Sequence, residues 1–247
     1  MSDLQKASVL KRISAFILDL IIFSVVSVGV MYAVSEITSY DEYAQKLTDY
    51  YTECGAKFGV DLNVAPANKA ELEKYQQASD YLNSIEDAVY TYNLIISLIL
   101  VITTSGLLIG FLALEFAVPL ILKNGQTVGK KVFGIGVMRV DSVKLTPAQL
   151  FVRTVLGKFT IETMVPVLIF ILILFGRAGI IGLIVVTCIL ALQLILIAVT
   201  KTNSLIHDLL AGTVVVDMAS QMIFETTQDL VEYQKRIAAE RAAKDNY

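Results

Sequence analysis

Four long apolar stretches dominate the pattern of hydrophobic and polar positions along the chain. They cover Ile13–Val34, Thr91–Leu122, Thr163–Gly176 and Ala178–Thr200. The first, second and fourth are long enough to cross a hydrocarbon core of about 30 Å as α-helices. The third is short, so it either starts earlier, includes Glu162 and kinks at Pro166, or is re-entrant. We favour a full crossing, since Gly176, Arg177 and Gly179 form a tight turn before the fourth stretch.

The composition agrees with a protein of the membrane. Of 247 residues, 55% are hydrophobic and 17% are charged, and the mean hydropathy is +0.67. A soluble domain has about 25% charged residues, and its core would not hide this much apolar surface. We therefore predict an all-α, polytopic protein with a four-helix transmembrane bundle in a lipid bilayer. The net charge of −3 gives no basic bias towards nucleic acid.

The loops between the apolar stretches differ in charge. Residues 123–160 hold seven basic residues and one acidic residue, whereas residues 36–92 hold eleven acidic and four basic ones. The positive-inside rule then places both termini and the 123–160 loop in the cytoplasm, with 36–92 outside. The N-terminal stretch is too long for a signal-peptide core, so we expect it to remain as the first span.

The polar segment 36–92 has a heptad pattern on two arms. Apolar residues alternate at spacings of three and four at Ile37, Tyr40, Ala44, Leu47, Tyr51, Cys54 and Phe58, and at Tyr75, Ala78, Leu82, Ile85, Val89 and Tyr92. This predicts a coiled-coil-like helical hairpin, with Gly59 ending one helix and Pro66 beginning the next. Arms of about 22 residues would project about 33 Å. The alternative is two amphipathic helices that lie flat on the membrane.

Tyrosines of this hairpin are candidates for a partner-binding surface, because aromatic residues are enriched at interfaces. Alternatively they are seam and rim residues of the hairpin itself. The candidates are Tyr40, Tyr43, Tyr51, Tyr75 and Tyr81.

The cytoplasmic side is predicted to hold a small β-pair. Ile135–Arg139 alternates and Thr213–Val216 is a β-branched run, so we expect these segments to pair, with a third strand near Val143. The capping box that begins at Thr146 predicts an amphipathic helix from Pro147 to Lys158. Its basic residues Arg153 and Lys158 would meet lipid headgroups. The tail 217–247 is expected to be helical, either docked or solvated.

These predictions divide the chain into six parts. They are residues 1–35 (N-terminus and span 1), 36–92 (hairpin), 93–122 (span 2), 123–160 (cytoplasmic loop), 161–200 (spans 3 and 4) and 201–247 (cytoplasmic segment and helix).

One carboxylate interrupts the first span, and such a residue is usually paired or functional. Asp19 lies about 10 Å along the helix from Arg12, which is too far for an ideal direct pair. Its candidate partners are Lys130, Lys131, Arg153 and the segment 203–208. Its role is either a buried ion pair that fixes helix packing or ion transport.

Three blocks of the sequence resemble the RDD family of bacterial membrane proteins. They are Lys11-Arg12-Ile13-Ser14-Ala15-Phe16-Ile17-Leu18-Asp19, Gly125-Gln126-Thr127-Val128-Gly129-Lys130-Lys131 with Gly134-Ile135, and Leu205-Ile206-His207-Asp208-Leu209-Leu210-Ala211-Gly212-Thr213. The resemblance implies that the family's arginine and two aspartates are Arg12, Asp19 and Asp208. It also implies a bacterial plasma membrane location. The hairpin is not part of the shared pattern.

The polar residues near these blocks suggest two functions. His207, Lys130, Arg153 and Glu115 would support the charged trio in a proton-sensitive cluster of a small-cation or proton transporter or exchanger. Otherwise the protein is an accessory or scaffold subunit whose hairpin binds a membrane-protein partner or a second copy. We favour the accessory subunit, since structural ion pairs are the commoner use of such residues.

Enzyme chemistry finds no support in the sequence. The Gly129-Lys130 pair lacks the remaining residues of a phosphate loop, and no serine elbow or metal-ligand cluster is present. We expect no enzyme activity, no cofactor and no metal. Cys54 and Cys188 fall in a polar loop and a span, so we expect no disulfide between them.

Overall fold

Helices make up most of the computed structural model, which describes residues 5–122, 124–174, 176–177 and 179–244. In chain order they are α1 (Val9–Ile37), α2 (Tyr40–Phe58), α3 (Lys69–Ser84), α4 (Glu86–Leu122), α5 (Val128–Val132), strand β1 (Ile135–Arg139), α6 (Pro147–Ile173), α7 (Gly179–Val199), α8 (Ile206–Ala211), strand β2 (Thr213–Asp217) and α9 (Thr227–Lys244). Within the described residues, α1, α4, α6 and α7 are long and apolar enough to cross a bilayer. The predicted multi-pass fold is confirmed. Ala178, the expected start of the fourth span, lies outside the described residues.

The third span begins much earlier than its apolar run. Helix α6 starts behind the predicted capping box, in which Thr146 accepts from the Gln149 N–H and the Gln149 side chain accepts from the Thr146 N–H. The helix then continues without interruption through Glu162 into the apolar run. The start at Thr163 was therefore wrong, and the separate amphipathic helix was wrong as well. Helix α6 starts earlier and includes Glu162, as one of the alternatives has it, and the part of the helix that lies in the bilayer stays a prediction.

The chain folds as two units. One unit consists of residues 1–23 and 111–247, and we call it the sheet unit. The other consists of residues 24–110, and we call it the hairpin unit.

In the hairpin unit, α2 and α3 pack along the predicted seam. Cys54, Leu62 and Ala78 are buried between them. Gly59 ends α2 with φ at 69°, a left-handed conformation that glycine adopts without steric cost. Helix α3 begins at Lys69, after the Asn68 side chain caps it, and not at Pro66. The arms have 19 and 16 residues, so both are shorter than predicted.

The sheet unit contains the predicted β-pair. Strands β1 and β2 are antiparallel, and Val137 lies opposite Val215 in the register. The expected third strand is reduced to a single bridge between Val143 and Phe224. The N-terminal segment adds another bridge, from Lys6 to Val216. The sheet therefore ties the start of α1, the loop after α4 and the segment after α7 together.

The tail is helical only from Thr227 to Lys244. Residues 218–226 turn back along the sheet, where the ring of Phe224 lies 5.2 Å from the ring of Tyr233. Lys144 pairs with Glu225. Part of the tail is therefore docked, and its last residues, 245–247, lie outside the described residues.

Candidate functional site

A cavity of about 370 Å³ lies in the sheet unit, next to the β-pair. Its walls come from the start of α1, the end of α4, α5, α6, the end of α7 and the segment before α8. Apolar side chains such as Ile13, Phe16 and Ile197 supply part of the lining. The ionisable lining residues are Arg12, Asp19, Glu115, Lys130, Arg153, Lys158, Glu162 and His207. We call this space the charged cavity.

Two π-helical segments place four of these side chains. Leu112–Ala117 of α4 carries Glu115, and Val152–Met164 of α6 carries Arg153, Lys158 and Glu162. In an α-helix, nine residues span about two and a half turns, so Arg153 and Glu162 would point to opposite sides. The wider i→i+5 winding brings both to the cavity wall. π-Helical turns occur frequently at functional sites.

The centre of the unit is an arginine–aspartate cluster. Asp208 is wholly buried between Arg153, at 2.5 Å, and Arg12, at 3.5 Å. Its carboxylate also accepts from the Leu205 N–H and the Thr213 hydroxyl. Burial alone would raise the pKa of Asp208, but the charge of Arg153, followed by His207 and Arg12, lowers it below its usual value. Asp208 is therefore a fixed anion that joins the first and third sequence blocks.

A second chain of bonds starts from Arg153. Its Nη2 lies 3.2 Å from Nε2 of His207, and the His207 Nδ1 lies 2.8 Å from the Glu162 carboxylate. A guanidinium only donates, so Nε2 accepts and Nδ1–H donates to Glu162. Burial and then the Arg153 charge lower the pKa of His207 below its usual value. Near neutral pH the imidazole is thus uncharged, and the bonds at both nitrogens fix its tautomer.

Glycine lets these helices approach. A Cβ atom at Gly157 of α6 would lie 2.6 Å from the Cβ of His207. Any larger residue would push α8 away and break the contact between His207 and Arg153.

Asp19 has partners that the sequence did not indicate. Its carboxylate accepts from the Thr127 hydroxyl at 2.5 Å and from the Gly129 N–H at 2.7 Å. A Cβ on Gly129 would collide with the Ala15 carbonyl and lie 2.9 Å from the carboxylate. The first and second sequence blocks are therefore joined at the N-terminus of α5.

The expectation that Lys130, Lys131, Arg153 or the segment 203–208 would bond Asp19 was wrong. Lys130 is close enough to Asp19 for their charges to interact, but no hydrogen bond forms between them.

The two remaining basic residues of the cavity differ in their contacts. Lys158 pairs with Glu115 at 2.5 Å. Lys130 has no hydrogen bond or ion pair from its ammonium to any residue that the structure describes. Burial, then Arg153 and Lys158, lower the pKa of Lys130 to about 8, against the opposing charges of Glu115 and Asp19.

The lipid-facing role expected of Arg153 and Lys158 was wrong. The Arg153 side chain is 7% exposed and points to Asp208, and Lys158 points to Glu115. The structure instead brings the predicted trio and all four supporting residues into one unit. Sequence reasoning did not assign Thr127, Gly129, Lys158 and Glu162 to this site. The acid Glu162 and the Gly-Lys pair were visible signals, whereas the partnership of Asp19 with Thr127 had none.

The hairpin tyrosines lie mainly within their own unit. Tyr40, Tyr43, Tyr51 and Tyr75 are half-buried, and Tyr81 is 38% exposed. The Tyr75 hydroxyl donates to the Leu62 carbonyl, and the Lys57 ammonium lies 3.5 Å from the centre of the Tyr81 ring. Their contacts fit seam and rim positions, and partner binding by these residues stays a prediction.

Among the described residues, no group of three or more His, Cys, Asp and Glu side chains is arranged to hold a metal ion.

Comparison with known proteins supplies the family. No curated protein and no solved structure matches the chain. The family model that matches is described as the RDD family, and it covers residues 6–212. This range includes α1, all the ionisable residues of the cavity lining and α8, so the chain belongs to the RDD family of membrane proteins.

Proposed function

We propose that this protein is a membrane transporter of a small ion, and that the charged cavity is its binding site. The observation that carries the proposal is the cavity itself. Eight ionisable side chains line about 370 Å³ of space at the end of four apolar helices. Lys130 lines this space without a bond from its ammonium to any residue that the structure describes, so the lining offers a charged donor to an ion.

The cluster and the cavity have separate roles in this proposal. Asp208, held between two arginines, keeps the ends of α1, α6 and α8 together. Asp19 holds α5 against α1. Lys130 faces the space between these elements and contacts the ion. In this proposal Asp19 and Asp208 position the helices and do not bind the ion themselves.

Tracer uptake into proteoliposomes tests the proposal. The probes are radioactive sodium, chloride and phosphate, each supplied with a gradient across the membrane. The matched variants are Lys130→Met in the cavity and Lys131→Met, whose side chain is exposed. We expect uptake of one probe by wild type and Lys131→Met, and at least tenfold less by Lys130→Met. Uptake of every probe at the level of empty liposomes would contradict transport.

An accessory subunit is the second candidate, and the hairpin unit is the observation that favours it. Helices α2 and α3 form a core of their own, yet Val64 at the tip is 59% exposed and Leu72 is 42% exposed. Exposed apolar residues at the tip of a helical hairpin suit a protein contact.

A pull-down in mild detergent tests this candidate, with the 41–88 deletion beside wild type and Val64→Ser as the point variant. A stoichiometric partner, either another membrane protein or a second copy, is expected to be lost in both variants. Recovery of the same protein set from all three samples would rule out a hairpin-bound partner.

A further inference from the structure

The partners of the charged groups in the cavity are unevenly distributed. Each acid accepts at least one bond: Asp19 from α5, Glu115 from Lys158 and Glu162 from His207. The Lys130 ammonium has three N–H donors and no acceptor within the described part of the chain. Lys130 is therefore the ionisable lining residue whose charged group has no bond to the described part of the chain.

The charges beside Lys130 have both signs. After burial, Glu115 has the largest effect and raises the pKa of Lys130, whereas Arg153 and Lys158 lower it, so positive potential from these two also reaches its ammonium. The guanidinium of Arg12, another lining group, bonds the Asn203 carbonyl at 2.5 Å and lies 3.5 Å from Asp208. A carbonyl oxygen satisfies a donor but removes no charge.

The backbone holds Lys130 in place. It lies on α5, directly after Gly129, whose N–H donates to Asp19. Thr127 caps the same helix by accepting from the Lys130 N–H at 3.4 Å and donates to Asp19. This double anchor fixes the start of the Lys130 side chain against α1, so the donor is presented to the cavity by a rigid element.

We propose that the charged cavity binds a phosphate-type anion, with the Lys130 ammonium as its primary contact and Arg12 and Lys158 beside it. The inference rests on the proposed transport function, because it names the class of ion that the same site takes. An ammonium is a common phosphate ligand, and it binds as a point charge.

The apolar part of the wall, with Ile13 and Phe16, leaves two sources for such a group. One is free inorganic phosphate, and the other is the headgroup of an anionic phospholipid. A bound anion would favour the protonated amine. Binding near pH 8 is therefore accompanied by proton uptake.

Titration of purified, delipidated full-length protein tests the inference. One arm uses inorganic phosphate in isothermal titration calorimetry, at pH 7 and in two buffers of different ionisation enthalpy at pH 8.5. The other arm uses phosphatidylglycerol, with phosphatidylcholine as the uncharged control, in native mass spectrometry. Each arm includes wild type, Lys130→Met, Lys130→Arg and Lys131→Met.

We expect binding in one arm by wild type and Lys131→Met, at least tenfold weaker binding by Lys130→Met, and retention by Lys130→Arg. Saturation by phosphate identifies the free anion, and selective retention of phosphatidylglycerol identifies the lipid headgroup. Absence of both, or equal binding by Lys130→Met, would overturn the inference. If Lys130→Met does not fold, Lys130→Arg tests the inference alone. Its side chain is permanently charged, so we expect it to bind the anion without proton uptake, and unchanged proton uptake would overturn the inference.

The two proposals fail separately. Anion binding without uptake of any tracer would remove the transport function and leave the site. Sodium uptake without anion binding would leave transport and remove this inference.

Discussion

Arg153 and Asp208 are 2.5 Å apart at the centre of the sheet unit, although α7 lies between them in the sequence. The Asp208 side chain is fully buried, and that of Arg153 is 7% exposed. Removing one member of a buried pair typically costs about 3–5 kcal/mol, because it leaves an uncompensated charge. This relationship gives the first prediction.

Arg153→Met should lower the free energy of unfolding of the purified protein by about 3–5 kcal/mol. The double variant Arg153→Met/Asp208→Asn should lose less than the sum of the two single variants, since the stranded carboxylate is then absent. Circular dichroism during heating measures both. Strict additivity would show that the pair is not coupled.

Gly129→Ala should separate α5 from α1. The added methyl group would collide with the Ala15 carbonyl and crowd Asp19, so we expect a loss of about 1–3 kcal/mol. Gly29→Ala is the matched control, because a Cβ there meets nothing within 4 Å and the residue is also helical. A similar stability of both variants would contradict the close contact.

Lys130→Met should stabilise the ligand-free protein at neutral pH. The folded pKa of about 8 lies below the value near 10.4 of an unfolded lysine. The unfolded chain therefore binds the extra proton between about pH 8 and 10.4, and wild-type stability rises with pH in this window.

Below about pH 8 the buried Lys130 is protonated, and its charge lowers the free energy of unfolding by the full amount. Because one pKa unit corresponds to about 1.4 kcal/mol, the gain on substitution is on the order of 1–3 kcal/mol there. It should disappear above about pH 10.4. Thermal unfolding at pH 7 and 10.5 checks both limits, and a gain that does not change with pH would show that Lys130 is not a destabilised cation.

The predicted orientation can be tested in cells. With Cys188 replaced by serine and Cys54 buried in the hairpin, Thr52→Cys and Ser220→Cys supply single exposed thiols. A membrane-impermeant maleimide should label the first in intact cells and the second only after lysis. The reverse pattern would invert the topology derived from the loop charges.

The spans, the hairpin seam and the β-pair could be predicted because each depends on local periodicity. Val137 and Val215 pair, as the alternating pattern of the first segment and the β-branched run of the second suggested. The start of the third span could not be predicted, because Val152–Met164 is π-helical and its polar residues do not follow an α-helical period. The wider winding of a π-helix places residues on one face at spacings that differ from those of an α-helix. Arg153 and Lys158 therefore both face the charged cavity.

The site was only partly predictable for a related reason. The family blocks identified Arg12, Asp19 and Asp208, and these residues do lie in one unit. The bond from Asp19 to the Gly129 N–H involves a backbone donor that carries no sequence signal. The Lys130 ammonium has no bond to a described residue because of how the walls of the cavity pack around it, and this packing cannot be predicted from local sequence.

The pH dependence of uptake is the most direct test of the claim that the Lys130 ammonium holds the ion. Burial lowers the pKa of this amine to about 8, with Arg153 and Lys158 lowering it further and Glu115 and Asp19 opposing the shift. At phosphate concentrations well below saturation, uptake into proteoliposomes should fall as the pH rises through about 8. In Lys130→Arg, whose guanidinium stays charged, this fall should vanish while uptake at pH 7 persists. An unchanged profile in Lys130→Arg would contradict the account.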